Sequence, residues 1–208
     1  MSLPFTILLI GLLYALLVGG LAVFRREGIS TRFALESAAV TLVFGGLAWI
    51  SGYPISPVIF LVVLYLLTMR VRLLVDLANV FAKQGRVGFA ERLYEIGSRL
   101  WPDAASLLVL KINQATLLLQ ENKLEQAISL FDDVLKQAGQ GALGAKYEAA
   151  AHYNLGVAYL RSDMDARAAI EFNAAIDAWP MSLYAKRAEQ ALEQRRHKNS
   201  PAASSENS

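Results

Sequence analysis

A pattern of small, aromatic and proline residues occurs three times in the second part of this chain, with a period of about 34 residues. The three copies cover residues 71–104, 108–141 and 149–182. The outer two copies end on the same dipeptide, Trp101-Pro102 and Trp179-Pro180. Such a period predicts a stack of similar units, because a unit this short cannot bury its apolar face alone.

Eight positions define the pattern. In the complete pattern, positions 4 and 7 are apolar, positions 8, 20 and 27 are small, positions 11 and 24 are aromatic, and position 32 is proline. The third copy departs from it only at position 4. The third copy has His152, Leu155, Gly156, Tyr159, Ala168, Phe172, Ala175 and Pro180 at these positions. The first copy has Leu74, Leu77, Ala78, Phe81, Ala90, Tyr94, Gly97 and Pro102. The second copy has Lys111, Gln114, Ala115, Leu118, Ala127, Phe131, Val134 and Gly139, and matches best in its second half.

These residues and their spacing resemble the tetratricopeptide repeat (TPR), a helix–turn–helix unit that stacks into a curved α-solenoid. The resemblance implies an all-α fold with three helix pairs in residues 70–182. In such a stack, small residues lie where paired helices cross, aromatic residues fill the space between units, and proline ends the second helix.

A stack of this kind needs a cover at its outer end. Residues 183–197 predict an amphipathic C-terminal capping helix, because Leu183, Ala188 and Leu192 share one side of it. The remaining residues, 198–208, are polar, and we expect them to be a disordered tail.

The first 69 residues predict three transmembrane helices. Residues 5–24 contain no charged residue, and this length crosses a hydrocarbon core of about 30 Å as a helix. The other two predicted spans cover about 33–50 and 55–69, joined by an uncharged turn around Gly52 and Pro54. A cleaved signal peptide is the alternative for the first span. It is disfavoured because Arg25 and Arg26 follow the apolar segment instead of preceding it.

Arginines predict the orientation of these spans. The loop 25–32 contains three arginines, and Arg70 and Arg72 follow the third span. The positive-inside rule places both segments on the cytoplasmic side, with the N-terminus and the Gly52 turn outside. We therefore expect an integral protein of a bacterial inner membrane, or of a thylakoid with the repeats in the stroma.

Three further expectations concern the spans. Glu36 lies about one turn inside the second span, near Arg32, and we expect its carboxylate to reach the lipid headgroups. No helix-breaking residue lies between Pro57 and Lys83, which predicts one straight rod of about 40 Å through the third span and the first repeat helix. Small residues at every fourth position predict close packing among the spans. They are Gly11, Ala15 and Gly19 in the first span, and Ser37, Thr41 and Gly45 in the second.

The sequence does not indicate catalysis. Residues 139–144 match the dinucleotide motif G-x-G-x-x-G, but a predicted helix precedes them where that motif requires a strand. Neither His152 nor His197 has a second ligand at metal spacing, and the chain has no cysteine. We predict no enzyme activity, metal, cofactor or small-molecule substrate. The net charge of +2 gives no reason to expect nucleic acid.

The family resemblance implies that the first helix of each unit lines a concave groove for a protein or peptide. The carboxylate clamp of chaperone-binding TPR proteins is matched at Asn79 and Asn113. It is rejected because Val75, Ala150 and Asn154 replace the basic residues that a terminal carboxylate needs. The predicted groove consists of Val75, Asn79, Ile112, Asn113, Thr116, Leu119, Tyr153, Asn154, Val157, Leu160 and Arg161.

The predicted function is a membrane-tethered TPR adaptor or scaffold that binds a partner protein on its cytoplasmic face and assists assembly of a membrane complex. The layout resembles membrane-tethered TPR proteins of bacteria, including assembly factors of photosynthetic complexes. The alternative is a non-catalytic accessory subunit of a transporter or membrane enzyme. A stand-alone transporter is disfavoured because the spans have few polar residues at mid-membrane. The sequence leaves the partner and the oligomeric state open.

Overall fold

A computed structural model describes residues 3–25, 27, 31–52, 55–139 and 143–199. Within these ranges the chain forms ten α-helices and no strand, which confirms the predicted all-helical fold class. The predicted disordered tail lies outside the described residues from Ser200 onwards. The helices are α1 (Leu3–Phe24), α2 (Thr31–Ser51), α3 (Pro57–Thr68), α4 (Arg70–Lys83), α5 (Val87–Arg99), α6 (Ala104–Gln120), α7 (Leu124–Ala138), α8 (Ala145–Arg161), α9 (Asp165–Ala178) and α10 (Leu183–Asn199).

The helices form two compact units. Unit 1 comprises Met1–Leu110 and unit 2 comprises Lys111–Ser208, so the boundary falls inside α6. Unit 1 groups the predicted membrane segment with the first predicted repeat. The division into membrane domain, repeats and capping helix at residues 69 and 182 stays a prediction.

Two helices of unit 1, α1 and α2, are long and apolar enough to cross a membrane, and a third candidate exists if α3 and α4 count as one bent span. Their outward side chains are apolar. Leu16, Leu17 and Leu42 are 63–65% exposed. Side chains of this kind require an apolar environment, which is the environment that the predicted spans would have in lipid.

Small residues let these apolar helices approach closely, as their spacing predicts. A side chain at Gly11 would overlap that of Thr41, and one at Gly45 would lie 3.2 Å from the Leu8 side chain. The Tyr14 hydroxyl of α1 forms a 2.7 Å hydrogen bond with Thr68 Oγ1 of α3. The small residues therefore let α1 and α2 pack closely, and the Tyr14–Thr68 bond joins α3 to α1.

The predicted straight rod is wrong, because α3 and α4 meet at Met69 with a bend of 73°. Met69 has φ −104° and ψ 9°, outside the helical range. The Arg70 guanidinium donates a 2.5 Å hydrogen bond to the carbonyl oxygen of Leu67. It thus occupies an acceptor that a continuous helix would use for its backbone hydrogen bonds. A polar side chain inserted into the ladder is a known cause of helix kinks, so no proline is needed here.

Ion pairs gather at one end of the apolar helices. Glu36 accepts from Arg32 Nε at 2.8 Å, and also from both terminal nitrogens of Arg70 at 2.6 and 2.9 Å. Glu27 accepts from Arg72 Nη1 at 2.7 Å, and its side chain is only 4% exposed. The expectation that Glu36 serves only to reach headgroups is therefore corrected: it ties α2 to the start of α4.

The three helix pairs turn at the same position of the sequence pattern. Gly85, Asn122 and Asp163 all occupy position 15, and their φ angles are 75°, 60° and 57°. Glycine, asparagine and aspartate are the residues that adopt this left-handed conformation most readily. In each turn the following N–H donates to the carbonyl of position 11 at 2.9 Å: Arg86 to Phe81, Lys123 to Leu118, and Met164 to Tyr159. The chain is therefore a helical repeat in which all three copies, including the weaker second one, share one turn geometry.

The small positions of the pattern and the aromatic position 24 are buried as predicted, whereas at position 11 Tyr159 is buried and Phe81 is half-buried. A side chain at Gly97 would lie 2.9 Å from Leu110 Cδ1, and one at Gly156 would lie 2.7 Å from the Phe172 ring. A side chain at either glycine would therefore prevent the helices from crossing at this distance. The buried members are Ala78, Ala90, Tyr94, Gly97, Ala115, Ala127, Phe131, Val134, Gly156, Ala168, Phe172 and Ala175.

In unit 2, α10 packs on α8 and α9. Ser182 Oγ accepts a 2.9 Å hydrogen bond from the Ala185 N–H and so caps the start of α10. Ala185 and Ala188 are fully buried, whereas Leu183 is 60% exposed. The predicted packing side of α10 is therefore corrected. It does not include Leu183, which precedes the first buried turn.

We expect Glu36→Gln to lower the free energy of unfolding by about 2 kcal/mol, because Arg70 loses a charged hydrogen-bond acceptor on both of its terminal nitrogens. Denaturation in detergent, followed by circular dichroism, measures the change. Glu95→Gln is the matched control. It removes an ion pair whose side chains are 76% and 60% exposed, and such a pair contributes only about 0–1 kcal/mol. Equal effects of the two variants would contradict the role given to Glu36.

We expect Gly156→Ala to destabilise the protein by about 1–3 kcal/mol, because the new methyl group meets the Phe172 ring at 2.7 Å. A loss of stability is the opposite of the usual effect of this substitution, since alanine stabilises an open helix position by up to about 1 kcal/mol relative to glycine. Gly88→Ala serves as control, because a side chain there meets nothing within 4 Å. A melting temperature that rises in both variants would show that position 156 is not a close helix crossing.

Candidate functional site

The eleven residues of the predicted groove lie on the first helices of the three pairs. Val75 and Asn79 belong to α4 in unit 1. The other nine belong to unit 2: Ile112, Asn113, Thr116 and Leu119 on α6, and Tyr153, Asn154, Val157, Leu160 and Arg161 on α8. Their assignment to a partner stays a prediction, and their surroundings differ from one residue to the next.

The two groove residues of unit 1 have intramolecular roles. Val75 is 5% exposed and packs in the core. Asn79 is half-buried, and its side-chain oxygen accepts a 2.6 Å hydrogen bond from the Tyr94 hydroxyl. Burial raises the pKa of Tyr94 to about 12, since the ionised phenolate would be poorly solvated. Asn79 thus satisfies the buried hydroxyl of the aromatic position 24.

Two predicted apolar contacts on α6 lie in the interior. Ile112 is 4% exposed and Leu119 is 5% exposed. Thr116, between them, is half-buried, and its hydroxyl donates to the Ile112 carbonyl at 2.8 Å. The side chains of Ile112 and Leu119 therefore stabilise the core, whereas the half-buried Asn113 and Thr116 lie nearer the surface.

Polar side chains of α8 reach across to α6. Asn154 Nδ2 donates to Thr116 Oγ1 at 3.2 Å, and Arg161 Nη1 donates to the Leu119 carbonyl at 3.0 Å. The Leu119 carbonyl also accepts from the Asn122 N–H at 3.2 Å, so Arg161 adds a second donor to an acceptor in the last turn of α6. These two bonds fix the two helices beside each other on one face of unit 2.

Tyr153 is held between aromatic rings. Its ring centroid lies 5.9 Å from that of Phe172 on α9 and 5.9 Å from that of Tyr184 on α10. Such tilted ring pairs stabilise packing beyond the area that they bury. Tyr153 therefore connects α8 to α9 and to the C-terminal helix, a role that the repeat pattern does not reveal.

The accessible part of the predicted surface in unit 2 is consequently small. Val157 and Leu160 are half-buried, and Arg161 is exposed. Together with the Asn154–Thr116 pair, they form what we call the α8 face: Thr116, Asn154, Val157, Leu160 and Arg161. It combines apolar carbon, amide and hydroxyl groups with one guanidinium.

Further charged contacts in unit 2 lie outside the α8 face. Lys111 Nζ lies 2.8 Å from Asp133 Oδ2, and Gln137 Nε2 donates to the other oxygen at 2.8 Å. The Lys111 hydrogen bond, with that of Gln137, lowers the pKa of Asp133. His152 Nδ1 lies 2.7 Å from Glu171 Oε2. His152 thus has a carboxylate partner, which the sequence did not suggest.

No group of three or more potential metal ligands occurs among the described residues. The glycine-rich segment 139–144 is described only at its ends, since residues 140–142 lie outside the described ranges. Helix α7 precedes this segment and α8 follows it. The dinucleotide motif requires a strand before the glycines, so the surroundings of this segment do not fit that use.

Comparison with known proteins gives little similarity. No protein-family model matches the chain, and no curated protein matches it. Among solved structures, the N-terminal domain of stress-induced protein-1 (STI-1) from C. elegans is similar, with a TM-score of 0.48 and 18% identity over 60% of this chain and 95% of that one. The description of this chain as a helical repeat rests on its own recurring turns and packing positions.

We expect the Tyr94→Phe variant to lose less stability than the native protein as the pH rises into the alkaline range. The raised pKa means that Tyr94 stabilises the fold fully below pH 10, and that this contribution disappears as the pH rises through about 12. The variant should also lose about 1 kcal/mol at neutral pH, since the bond to Asn79 is absent. Denaturation at neutral pH and at pH values between the two pKa values measures both effects. An alkaline loss as steep in Tyr94→Phe as in the native protein would contradict the assignment.

Proposed function

We propose that this chain is a membrane-anchored TPR scaffold whose helix pairs bind a partner protein. One observation carries the proposal: the apolar helices of unit 1 have all their described charged side chains at one end, and there they join the first helix pair. The residues at this end are Arg25, Glu27, Arg32, Glu36 and Arg70.

This distribution supports membrane insertion. The opposite end, around Ser51 and Gly52, is uncharged, and the outward side chains between the two ends are apolar. Charged groups at one end of a bundle can stay hydrated while the rest of it lies in lipid. The proposal includes three spans, and the third is the apolar segment 55–69, which ends at the bend at Met69. It also includes a cytoplasmic location of the arginine-rich end, as the positive-inside rule requires.

The α8 face supports a protein partner over a small molecule. It lies on a helix surface and consists of the half-buried Val157 and Leu160 beside amide and guanidinium groups. A short amphipathic segment matches this chemistry, because its apolar side chains can contact the leucine and valine while its polar groups bond to the amide and to Arg161. Assistance in assembling a membrane complex is the use that fits a binding surface attached to a bilayer.

Photo-crosslinking in native membranes, followed by identification of captured proteins, is the first experiment. Recovery of transient clients in low stoichiometry supports the scaffold. Recovery of one constant stoichiometric complex instead supports the accessory-subunit alternative. Extraction of the full chain by carbonate without detergent would contradict the membrane anchor.

We expect Leu160→Ala to weaken capture of the crosslinked partner by roughly 5- to 30-fold, the effect of losing about 1–2 kcal/mol at an interface. The matched control is Ile170→Ala on α9, where the isoleucine is 64% exposed. Tyr153 is left unchanged, because its ring packs against Phe172 and Tyr184. Melting curves of both variants exclude unfolding as the cause, and equal capture by the two variants would show that the α8 face does not bind the partner.

A further inference from the structure

Trp101 is an unusual residue of unit 1. It is 76% exposed and has a φ of 48°, in the left-handed region that a bulky residue seldom occupies. A single exposed aromatic side chain needs no partner, but one that lies beside other uncovered apolar residues can mark a contact surface. The position of Trp101 in unit 1 indicates which surface its ring contacts.

Arg70 fixes the position of Trp101 in unit 1. The Arg70 guanidinium donates to the carbonyl oxygens of Leu100 at 3.1 Å and Trp101 at 3.3 Å. The same guanidinium bonds to Glu36 near the start of α2 and to the Leu67 carbonyl at the end of α3. Trp101 is therefore held at the level where the apolar helices end and their charged groups begin.

The bend at Met69 determines how the first helix pair extends from this level. Because α4 leaves α3 at 73°, it runs nearly across the direction of the apolar helix. If α3 crosses the bilayer with the usual tilt of about 20°, α4 lies close to the membrane plane. The antiparallel α5 then returns the chain to Trp101 at the same level.

One face of α4 is apolar and uncovered. Leu77 and Val80 are 44% and 48% exposed. Position 7 of the pattern is Leu77 in the first pair and Leu155 in the third, and Leu155 is only 1% exposed. A position that is buried in the third pair, and half-buried at Gln114 in the second, is thus uncovered in the pair that follows the apolar helices.

The contacts of α4 show which way this face points. Arg70 and Arg72 are about 160° apart across the shorter side of the helix, and they bond to Glu36 and Glu27 at the ends of the apolar helices. Leu77 and Val80 lie in the arc between these two arginines. The residues buried in the pair lie in the other arc: Val71, Val75 and Ala78. The uncovered face therefore points to the side on which the apolar helices end.

We propose that the first helix pair lies on the bilayer surface, with Trp101 in the headgroup layer and Leu77 and Val80 against lipid. This inference rests on the proposed membrane anchor. Tryptophan prefers the interface between hydrocarbon and water, because its ring is apolar while its indole N–H needs a polar partner. The occupant of the apolar face is thus the same bilayer that surrounds α1–α3, in place of the helix pair that covers this position elsewhere in the repeat.

The three tryptophans of the chain, Trp49, Trp101 and Trp179, allow a direct test. Two variants retain one reporter each: Trp49→Phe with Trp179→Phe retains Trp101, and Trp101→Phe with Trp179→Phe retains Trp49. Each full-length variant is reconstituted into phosphatidylcholine vesicles with or without bromine atoms high on the acyl chains. Trp49 lies near the end of α2, is 77% exposed and reports on membrane insertion itself.

We expect brominated lipid to quench the fluorescence of both reporters, with a loss of emission at Trp101 comparable to that at Trp49. Loss at Trp49 alone would overturn the surface contact and leave the membrane anchor intact. Loss at neither position would overturn the anchor and this inference with it. Loss at Trp101 alone would overturn the proposed spans, and with them the placement of the first helix pair, which depends on α3 crossing the bilayer.

A second reporter tests α4 without relying on the loop. Leu77→Trp, made in a chain whose own three tryptophans are replaced by phenylalanine, places an indole on the exposed face. Since Leu77 is an exposed side chain, this variant is expected to retain its helicity. Quenching by brominated lipid supports the proposed contact of α4. A red-shifted emission that iodide quenches equally in plain and brominated vesicles would overturn it.

Discussion

The Arg70 guanidinium is the group on which the arrangement of unit 1 depends. It forms a two-point ion pair with Glu36, bonds to the carbonyl at the end of α3, and bonds to two carbonyls after α5. Paired charged bonds of this type are among the stronger polar interactions in proteins. Because one side chain supplies all of them, the end of the apolar bundle, the bend and the closure of the first helix pair are coupled.

This coupling explains why the bend could not be predicted from local sequence. The segment from Pro57 to Lys83 contains no internal proline, and its residues favour a continuous helix. The cause of the bend lies 34 residues before Arg70, at Glu36, and 30 residues after it, at Leu100. Tertiary contacts override helix propensity when they satisfy a partly buried charge, since leaving that charge unpaired would cost more than interrupting the helix.

The repeat itself was largely predictable, because its physical requirements are local. Small residues mark the helix crossings, and Gly85, Asn122 and Asp163 mark the turns. Which side chains of a first helix face a ligand was less predictable. Val75, Ile112 and Leu119 are among the predicted groove residues, and all three are at most 5% exposed. A first helix has several packing sides, and one sequence does not distinguish the side that meets another helix from the side that meets a partner.

Departures from the repeat pattern were harder still to interpret, although they follow one physical rule. Position 4 is apolar in the first copy, where it is Leu74, but it is Lys111 in the second and His152 in the third. Each of these polar residues has a carboxylate partner on the second helix of its own pair, Asp133 at 2.8 Å and Glu171 at 2.7 Å. A half-buried polar group is tolerated when its partner is close, because the desolvation cost is then offset. Since each partner belongs to the same helix pair, the substitution is compensated within the unit. It therefore places no new requirement on the neighbouring units, and a repeat can change at this position while its stacking positions stay the same.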